Sequence, residues 1–327
     1  FQVEESIMSK HSDRRRFLQR SGSLVTGAAL AGRLGGAPSF TQQQVEKPVA
    51  DAAESPFLTY QTLSDLTGKI PAGRIGEMPL SRVFLGGNQM GGWVSGRDLK
   101  YVRNLALAYS TKQKIFETLR LAEKCGVNTL LTNPKLCTII NEFWDQGGTI
   151  QFISDCGGGD ILKGIKTSID HGATAGYLHG SFSDRAVAKG DFDLMKRALD
   201  LLKSHGIPAG IGGHRLDTIR GCVDHQVTPD FWMKTLHRSD YPSYAVYHPC
   251  DDPDATIAYM QELEEPWIAF KVLAQGAIHP KVAFPWCFKN GADFLCVGMF
   301  DFELVQNVNL ACDVLAGDVA RRRPWRG

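Results

Sequence analysis

From residue 80 onward, short apolar runs and amphipathic helical runs alternate eight times along the chain. The apolar runs, interpreted as strands, are Arg82–Asn88, Val127–Asn133, Thr149–Asp155, Ala173–Gly180, Pro208–His214, Phe231–His237, Trp267–Leu273 and Asp293–Met299. The helical runs are Gln113–Cys125, Pro134–Gln146, Asp160–His171, Asp191–His205, Arg215–Val223, Asp254–Glu264, Pro280–Asn290 and Phe302–Ala316. A strand followed by a helix, repeated in this way, is typical of an α/β protein with a single (β/α)8 TIM barrel. A doubly wound parallel sheet is the competing fold, but it rarely contains so many evenly spaced units.

Composition limits the classes of protein to which the chain can belong. Its 327 residues include 36 Lys and Arg against 35 Asp and Glu, a net charge of +1, and 43% are hydrophobic. This balance excludes a disordered chain and gives no electrostatic basis for binding nucleic acid. No stretch after residue 40 approaches the roughly 20 apolar residues of a membrane span. We therefore expect a globular protein whose partner is a small-molecule substrate.

The N-terminal segment resembles a twin-arginine export signal. Residues 13–19 read Asp-Arg-Arg-Arg-Phe-Leu-Gln, and a mildly apolar stretch follows at 24–31. The resemblance implies a signal peptide over residues 1–37, with 1–7 as read-through before Met8. It also implies a periplasmic or otherwise exported protein whose partner is the twin-arginine export machinery. A basic amphipathic N-terminal helix is the alternative interpretation.

The rest of the chain divides into three parts. Residues 38–74 are aperiodic and predict a linker and N-terminal extension, residues 75–320 predict the barrel, and residues 321–327 are a basic tail. Eight cysteines lie at wide spacings with no CxxC pair. This spacing excludes a zinc finger, and we expect the cysteines to be mostly reduced and buried.

Polar side chains gather at the carboxyl ends of the predicted strands. They are Asn88, Asn133, Asp155, His179, His214, Lys234, His237 and Lys271. In barrel enzymes this end carries the active site, because the loops that follow the strands meet there. Two connections are unusually long, Val94–Lys112 and Arg238–Pro253, and both follow strand ends. They are candidate lids or simple loop elaborations.

Two lysines stand inside otherwise apolar strand sequences. Lys234 lies among bulky apolar residues, and in the seventh strand we expect Ile268 and Phe270 to meet helices while Lys271 points into the barrel. Desolvation and like-charge repulsion between two buried lysines would lower the pKa of at least one, and a neutral amine attacks carbonyl groups. We therefore expect Lys234 to form an imine with substrate, or Lys271 if Lys234 faces outward. Alternatively, each lysine pairs with a carboxylate such as Asp155 and only closes the barrel.

The remaining strand-end residues suit proton transfer and substrate binding. Carboxylate and imidazole groups relay protons, so the candidate proton carriers are Asp155, His179 and His214. The candidate substrate-binding residues are Asn88, Gln89, Asn133 and His237. Imidazole and carboxylate also suit zinc or manganese, but two neighbouring lysines would repel a cation, so we predict no metal. The glycine clusters match no nucleotide-binding fingerprint.

Segments in the first half of the chain resemble the aldo-keto reductase superfamily. They are Pro79–Gly87, Gly126–Pro134 and Tyr177–Gly180, at the positions of that family's opening strand, its GxNxxDTA strand and the strand that ends in a catalytic histidine. The resemblance implies a TIM barrel and NADP(H)-dependent oxidoreduction. Of the family's four catalytic residues only His179 has a counterpart, since Leu131 and Asp155 occupy the aspartate and lysine positions.

Segments in the second half resemble class I aldolases of the deoxyribose-phosphate type. They are Asp230–Thr235, Phe270–Ile278 and Gly291–Gly298, at the positions of the Schiff-base strand, the strand with a second lysine and the final strand. The first of them has one residue more than the family pattern D-F-[IV]-K-T. The resemblance implies that Lys234 forms a Schiff base and that Lys271 lowers its pKa.

Together these patterns favour an exported barrel enzyme that acts on a carbonyl, sugar-like substrate. The reaction would be of the lyase, aldolase or isomerase type, would pass through a buried lysine and would use no committed cofactor. One alternative is an aldo-keto reductase-like oxidoreductase that uses NADP(H) with an altered catalytic set. Another is a non-catalytic sugar-binding barrel.

Overall fold

The computed structural model describes residues 61–242, 245–317 and 319–327. Its centre is a closed barrel of eight parallel strands, each paired with the next in sequence and the last paired with the first. An antiparallel hairpin, β1 (Ala72–Ile75) and β2 (Met78–Ser81), precedes the barrel. The barrel strands are β3 (Val83–Gly86), β4 (Thr129–Thr132), β5 (Gln151–Ser154), β6 (Ala175–Leu178), β7 (Ala209–Gly213), β8 (Phe231–Thr235), β9 (Trp267–Phe270) and β10 (Phe294–Gly298). Each predicted strand contains one of them, which confirms the (β/α)8 fold. The predicted signal peptide lies outside the described residues.

Helices surround the barrel, and all of the predicted ones are present. They are α1 (Asn88–Gly91), α2 (Val102–Tyr109), α3 (Lys112–Lys124), α4 (Cys137–Asp145), α5 (Ile161–Asp170), α6 (Gly180–Lys189), α7 (Phe192–Ser204), α8 (Leu216–Asp224), α9 (Pro253–Gln261), α10 (Pro280–Lys289) and α11 (Asp301–Ala316). Helices α1, α2 and α6 were not expected from the sequence. Helix α6 buries Gly180, Ser183 and Ala186, and α2 buries Ala106. Because the residues that α6 buries are small, this helix lacks the broad apolar stripe that reveals a helix in a sequence.

Alternate residues of the barrel strands belong to two separate cores. Inward-pointing residues form an interior cluster that includes Phe84, Leu131, Ile153, Ala175, Tyr177, Phe231, Met233, Ile268, Phe294 and Cys296. Outward-pointing residues pack against the helices in a larger cluster. The β1–β2 hairpin closes the amino end of the barrel, since Ile75 and Leu80 are 1% and 0% exposed and join the interior cluster. The carboxyl end is therefore the end at which a site can form.

The two faces of β9 are opposite to the prediction. Ile268 and Phe270 pack with the interior cluster, whereas Trp267 and Ala269 face the helices. The expectation that Ile268 and Phe270 meet helices is therefore wrong. A parallel strand is covered on both faces, so its apolar periodicity does not indicate which face points inward.

The segment 319–327, which contains the predicted basic tail, packs on the amino end of the barrel. Asp293 is fully buried, and its two carboxylate oxygens bind Arg321 at 3.1 Å and Arg323 at 3.0 Å. The guanidinium groups of Arg82 and Arg321 stack on the Trp325 ring at 4.0 and 3.4 Å. These contacts tie the segment to residues directly before β3 and β10.

All eight cysteines are free and seven of them are buried, which confirms the expectation of buried, unpaired thiols. Burial raises the pKa of Cys137 and of Cys156 to about 12, so these thiols stay protonated at neutral pH. Among the described residues, no helix combines the length and apolar character needed to cross a membrane.

Candidate active site at the carboxyl end of the barrel

The carboxyl ends of the barrel strands lie together at one end of the barrel, which we call the mouth. Of the predicted catalytic residues, Asp155 and His214 are each 8% exposed, while His179 and Lys271 are half-buried. Lys234 is 1% exposed and is separated from the others, as described next. The predicted residues thus lie at the carboxyl end of the barrel, but they divide into distinct environments.

Lys234 lies behind the barrel wall and not inside it. It pairs in register with Gly213 and Ala269, and Ala269 packs in the outer cluster. A Cβ placed on Gly213 would meet Thr218 and Ile219 of α8, which shows that this row of residues points outward. The ammonium group donates to the carbonyls of His214 at 2.8 Å and Thr235 at 3.1 Å. Burial lowers the pKa of Lys234, but the amine is held by backbone and does not reach the mouth.

Lys271 follows the last residue of β9 in the left-handed backbone conformation, with φ 59°. Its ammonium nitrogen donates to the Tyr247 carbonyl at 2.9 Å and lies 5.4 Å from the centre of the Tyr247 ring. Burial lowers the pKa of Lys271 to about 8. Burial accounts for this lower pKa, and the charge of Lys234 contributes nothing to it, so the expected repulsion between the two lysines is wrong.

His214, directly after β7, is oriented by a carboxylate that the sequence did not reveal. Its Nδ1 donates to Asp184 of α6 at 2.8 Å, and its backbone N–H reaches the same carboxylate at 3.1 Å. Thr218 donates to Asp184 at 2.7 Å. Burial alone raises the pKa of Asp184, but the hydrogen bonds from His214 and Thr218 outweigh it, so the pKa is lowered. Gly180 allows this approach, since a Cβ there would lie 2.8 Å from the His214 ring.

The connection after β8 brings a second histidine onto this ring. His248 stacks on His214 with ring centres 4.2 Å apart, and the Phe270 ring lies 5.4 Å from His214. Burial lowers the pKa of both histidines, and the charge of Lys271 lowers each further. Both imidazoles are therefore neutral at pH 7, and both lie near enough to Lys271 for its charge to lower their pKa values. No periodic pattern in the sequence identifies His248, because this residue lies in an irregular segment and has φ 51°.

The opposite side of the mouth carries a carboxyl group and a phenol. Asp155, after β5, accepts from the Asn133 amide at 2.9 Å and from the Gly157 N–H at 2.7 Å. Burial nonetheless raises the pKa of Asp155, against the opposing effect of His179. Tyr177 of β6 points into the barrel beside Asp155, and its pKa is raised by burial and then by that carboxylate. His179 accepts from the Ser181 N–H at its Nδ1, which leaves Nε2 as the proton-bearing nitrogen.

The remaining predicted substrate-binding residues differ in availability. His237 has no free ring nitrogen, since Nδ1 donates to the Arg238 carbonyl and Nε2 accepts from the Cys250 N–H. It positions the connection after β8, and the expectation that it holds a substrate hydroxyl is wrong. Asn88 is exposed at the start of α1. Gln89 is half-buried over Gly298, and its buried Oε1 has no hydrogen-bond partner among the described residues.

The two long connections meet over the carboxyl end. The side chain of Gln275 accepts from the Tyr247 N–H at 2.9 Å and donates to the Ser95 hydroxyl. Ser95 belongs to the connection after β3 and Tyr247 to the connection after β8. One amide side chain therefore holds both candidate lids.

Within the described residues, the structure shows no cluster of side chains suited to bind a metal ion or a phosphate group. No group of three or more His, Cys, Asp or Glu side chains is arranged to ligate a metal there. At the start of α11, where barrels often bind phosphate, the Phe300 N–H donates to Glu303 and Asp301 binds Tyr109 and Lys114. Two carboxylates at this position disfavour an anion.

Comparisons with known proteins identify the fold. No family model and no curated protein matches the sequence. Two solved structures from Pseudomonas aeruginosa are each described as a "putative aldo-keto reductase". Their sequences are 17% and 18% identical to this chain, and the TM-scores are 0.51 and 0.52. Each match covers 75% of this chain, together with 94% of the first structure and 95% of the second. A phospho-2-dehydro-3-deoxyheptonate aldolase from Thermotoga maritima is 12% identical with a TM-score of 0.49, over 78% of this chain and 76% of that one. The chain thus has the barrel fold of the aldo-keto reductases, and at these identities the likeness extends to the fold alone.

Proposed function

We propose that the chain is a barrel enzyme that acts on a small carbonyl compound through an imine formed by Lys271. The observation that carries the proposal is the state of this amine. It is half-buried, its pKa is about 8, and its hydrogen-bond partner is a neutral backbone carbonyl. About a tenth of the amine is unprotonated at pH 7 with such a pKa, whereas an ordinary lysine is almost fully protonated.

His214 is suited to move the proton that imine formation requires. Attack of the amine nitrogen on the carbonyl carbon forms the C–N bond, and the carbonyl oxygen then leaves as water after gaining two protons. With Nδ1 held by Asp184, the Nε2 of His214 carries the free lone pair. A histidine oriented by a carboxylate in this way is the usual arrangement of a general base.

Asp155, Tyr177 and His179 supply hydrogen-bond donors on the other side of the mouth. The raised pKa of Asp155 favours its protonated form, and the raised pKa of Tyr177 keeps the phenol intact. These donors, with the Asn133 amide that binds Asp155, suit a substrate that carries hydroxyl groups next to its carbonyl. Such a compound is sugar-like, and an imine withdraws electrons from its neighbouring C–C or C–H bond. The reaction class is therefore an aldolase-type lyase or an isomerase.

Reductive trapping tests the proposal. The full chain is incubated with a panel of aldoses and ketoses and sodium borohydride, and the modified peptide is located by mass spectrometry. We expect one adduct, on Lys271, and its loss in Lys271→Met. Lys112→Met, which removes an exposed lysine, is the matched control and should leave trapping unchanged. Adducts distributed over exposed lysines, or none on Lys271 with any sugar, would contradict the proposal.

Export by the twin-arginine route is a separate proposal. It is supported by the residues 13–19 of the sequence and is independent of the barrel chemistry. Replacement of Arg14, Arg15 and Arg16 by Lys in the full chain should retain the protein in the cytoplasm of a bacterial host. Unchanged export of that variant would contradict it.

A further inference from the structure

Two neighbouring residues of the connection after β8 contact both groups that the imine mechanism uses. The carbonyl oxygen of Tyr247 accepts from the side-chain nitrogen of Lys271 at 2.9 Å. The next side chain, His248, stacks on the ring of His214 with the ring centres 4.2 Å apart and the ring planes 23° apart. A single peptide bond therefore lies between a contact to the amine and a contact to the imidazole.

The backbone around this peptide bond is held at several points. The N–H of Tyr247 donates to the side chain of Gln275 at 2.9 Å, so both backbone polar groups of Tyr247 are bonded. His248 and Lys271 both adopt the left-handed region, with φ 51° and 59°. This conformation costs free energy in residues that carry a side chain, and it persists where surrounding contacts enforce it, often at functional sites. Two such residues meet here through the Tyr247 carbonyl.

The ring of His214 is enclosed by groups from several elements. A Cβ on Gly180 of α6 would lie 2.8 Å from the ring, so the ring edge rests against that backbone. Asp184 binds Nδ1 at 2.8 Å, and the centre of the Phe270 ring lies 5.4 Å away. His248 covers a face of the ring. With these neighbours His214 is only 8% exposed.

We propose that His248 is a positioning residue for the reaction at Lys271, because it covers the ring of His214 and holds it at a fixed place relative to the amine. This inference rests on the proposed function, in which His214 moves the protons of imine formation. A misplacement of about 1 Å in a reacting group costs about 100-fold in rate. The stack on one side of the peptide bond and the Tyr247 carbonyl on the other would prevent such a displacement.

The surroundings of His248 favour this role over that of a second proton carrier. Asp184 orients the ring of His214, whereas no carboxylate in the described part of the chain binds the ring of His248. The charged and titratable groups that face the two stacked rings are Asp184 of α6, His179 after β6 and Lys271 after β9. Burial lowers the pKa of both imidazoles, so His248 adds no charge beside His214 at neutral pH. A flat, neutral cover is what the second ring supplies.

An NMR titration of His214 in the full chain, with isotope-labelled histidine, tests the proposal. The His214 resonance is assigned by its loss in His214→Gln. His248→Asn removes the covering ring, and asparagine adopts the left-handed region readily, so the Tyr247 carbonyl should stay on Lys271. Water then reaches His214, and its pKa should rise toward that of an exposed histidine. The initial rate of borohydride trapping at Lys271 should fall about 10-fold, since a positioned general base contributes about 100-fold or more.

Two further variants make the result decisive. His248→Phe restores a flat ring and should return the titration and the trapping rate to those of the unaltered chain. His225→Asn is the matched control, because it removes an exposed imidazole that stacks on Phe192 with ring centres 3.8 Å apart, and it should change neither measurement.

Three outcomes would overturn the proposal. They are an unchanged pKa of His214 in His248→Asn, an unchanged trapping rate in that variant, and an equal loss of rate in His248→Phe, which would make His248 a proton carrier. Failure of the proposed function is a separate result. If the unaltered chain forms no adduct at Lys271, the imine mechanism is wrong, whereas the titration still decides whether His248 holds His214.

Discussion

Replacement of Arg323 by Met tests the buried ion cluster at the amino end of the barrel. Arg323 is 3% exposed, and its guanidinium group donates to Asp293 at 3.0 Å and to the carbonyls of Met260 at 2.6 Å and Glu265 at 3.1 Å. Methionine fills a similar volume but satisfies none of these acceptors. The carboxylate of Asp293, which is fully buried, would keep its ion pair with Arg321.

The expected loss of stability follows from this geometry. Removal of one partner of a buried ion pair costs about 3–5 kcal/mol, because the other charge stays buried. Since Arg321 still faces Asp293, we expect the lower end, about 3 kcal/mol. For a domain of this size that corresponds to a fall in melting temperature of roughly 6–10 °C.

Thermal and urea unfolding, followed by circular dichroism at one scan rate, measure the change. Arg322→Met is the matched control, because Arg322 is the exposed neighbour in the same segment, and it should change stability by less than about 0.5 kcal/mol. If Arg323→Met and Arg322→Met unfold at the same temperature and urea concentration, the cluster does not stabilise the barrel and the reasoning fails.

Further predictions concern the carboxyl end. Because the pKa of Lys271 is about 8, borohydride trapping should accelerate as the pH rises through 8. The free energy of unfolding should increase between this pKa and the higher pKa of the unfolded state, because the unfolded chain binds more protons in that range. Lys271→Met should abolish both trends. Asp184→Asn should lower kcat/KM about 10–100-fold, as loss of a carboxylate that orients a histidine does, without the loss of trapping at Lys271. His237→Ala should destabilise by about 1–3 kcal/mol in urea unfolding, since it leaves the buried Cys250 N–H without an acceptor, and should leave KM nearly unchanged. A raised KM with unchanged stability would restore His237 as a substrate-binding residue.

The barrel was predictable because both faces of a parallel strand are covered, which turns each strand into a continuous apolar run. That same property hides orientation, and the sequence alone placed Ile268 and Phe270 on the wrong side of β9. Lys234 is the second example. Its strand is apolar on both sides, and only the pairing with Gly213 and Ala269 shows that it points outward.

The candidate site was predictable in part. Residues at strand ends could be grouped from the order of the strands, whereas contacts between residues far apart in the sequence could not be predicted. Strand ends meet by topology, so Asp155, His179, His214 and Lys271 could be grouped from their positions. Asp184 could not, because α6 buries small residues and the contact with His214 spans 30 positions along the chain. A signal existed in the sequence, since Asp184 follows His179 by little more than one helical turn, but no periodicity identified that helix.

The amide of Gln275 makes the two long connections energetically dependent on each other. The residue sits in the left-handed conformation, φ 56°, between Ala274 at 44° and Gly276 at 81°, so the turn is ordered at a cost in strain. That cost is offset only while the amide keeps its bonds on both sides. If the hydrogen bond with either Ser95 or Tyr247 is lost, less interaction energy offsets the strain of the turn, and the other hydrogen bond weakens as well. We therefore expect the two connections to loosen together when either contact is removed.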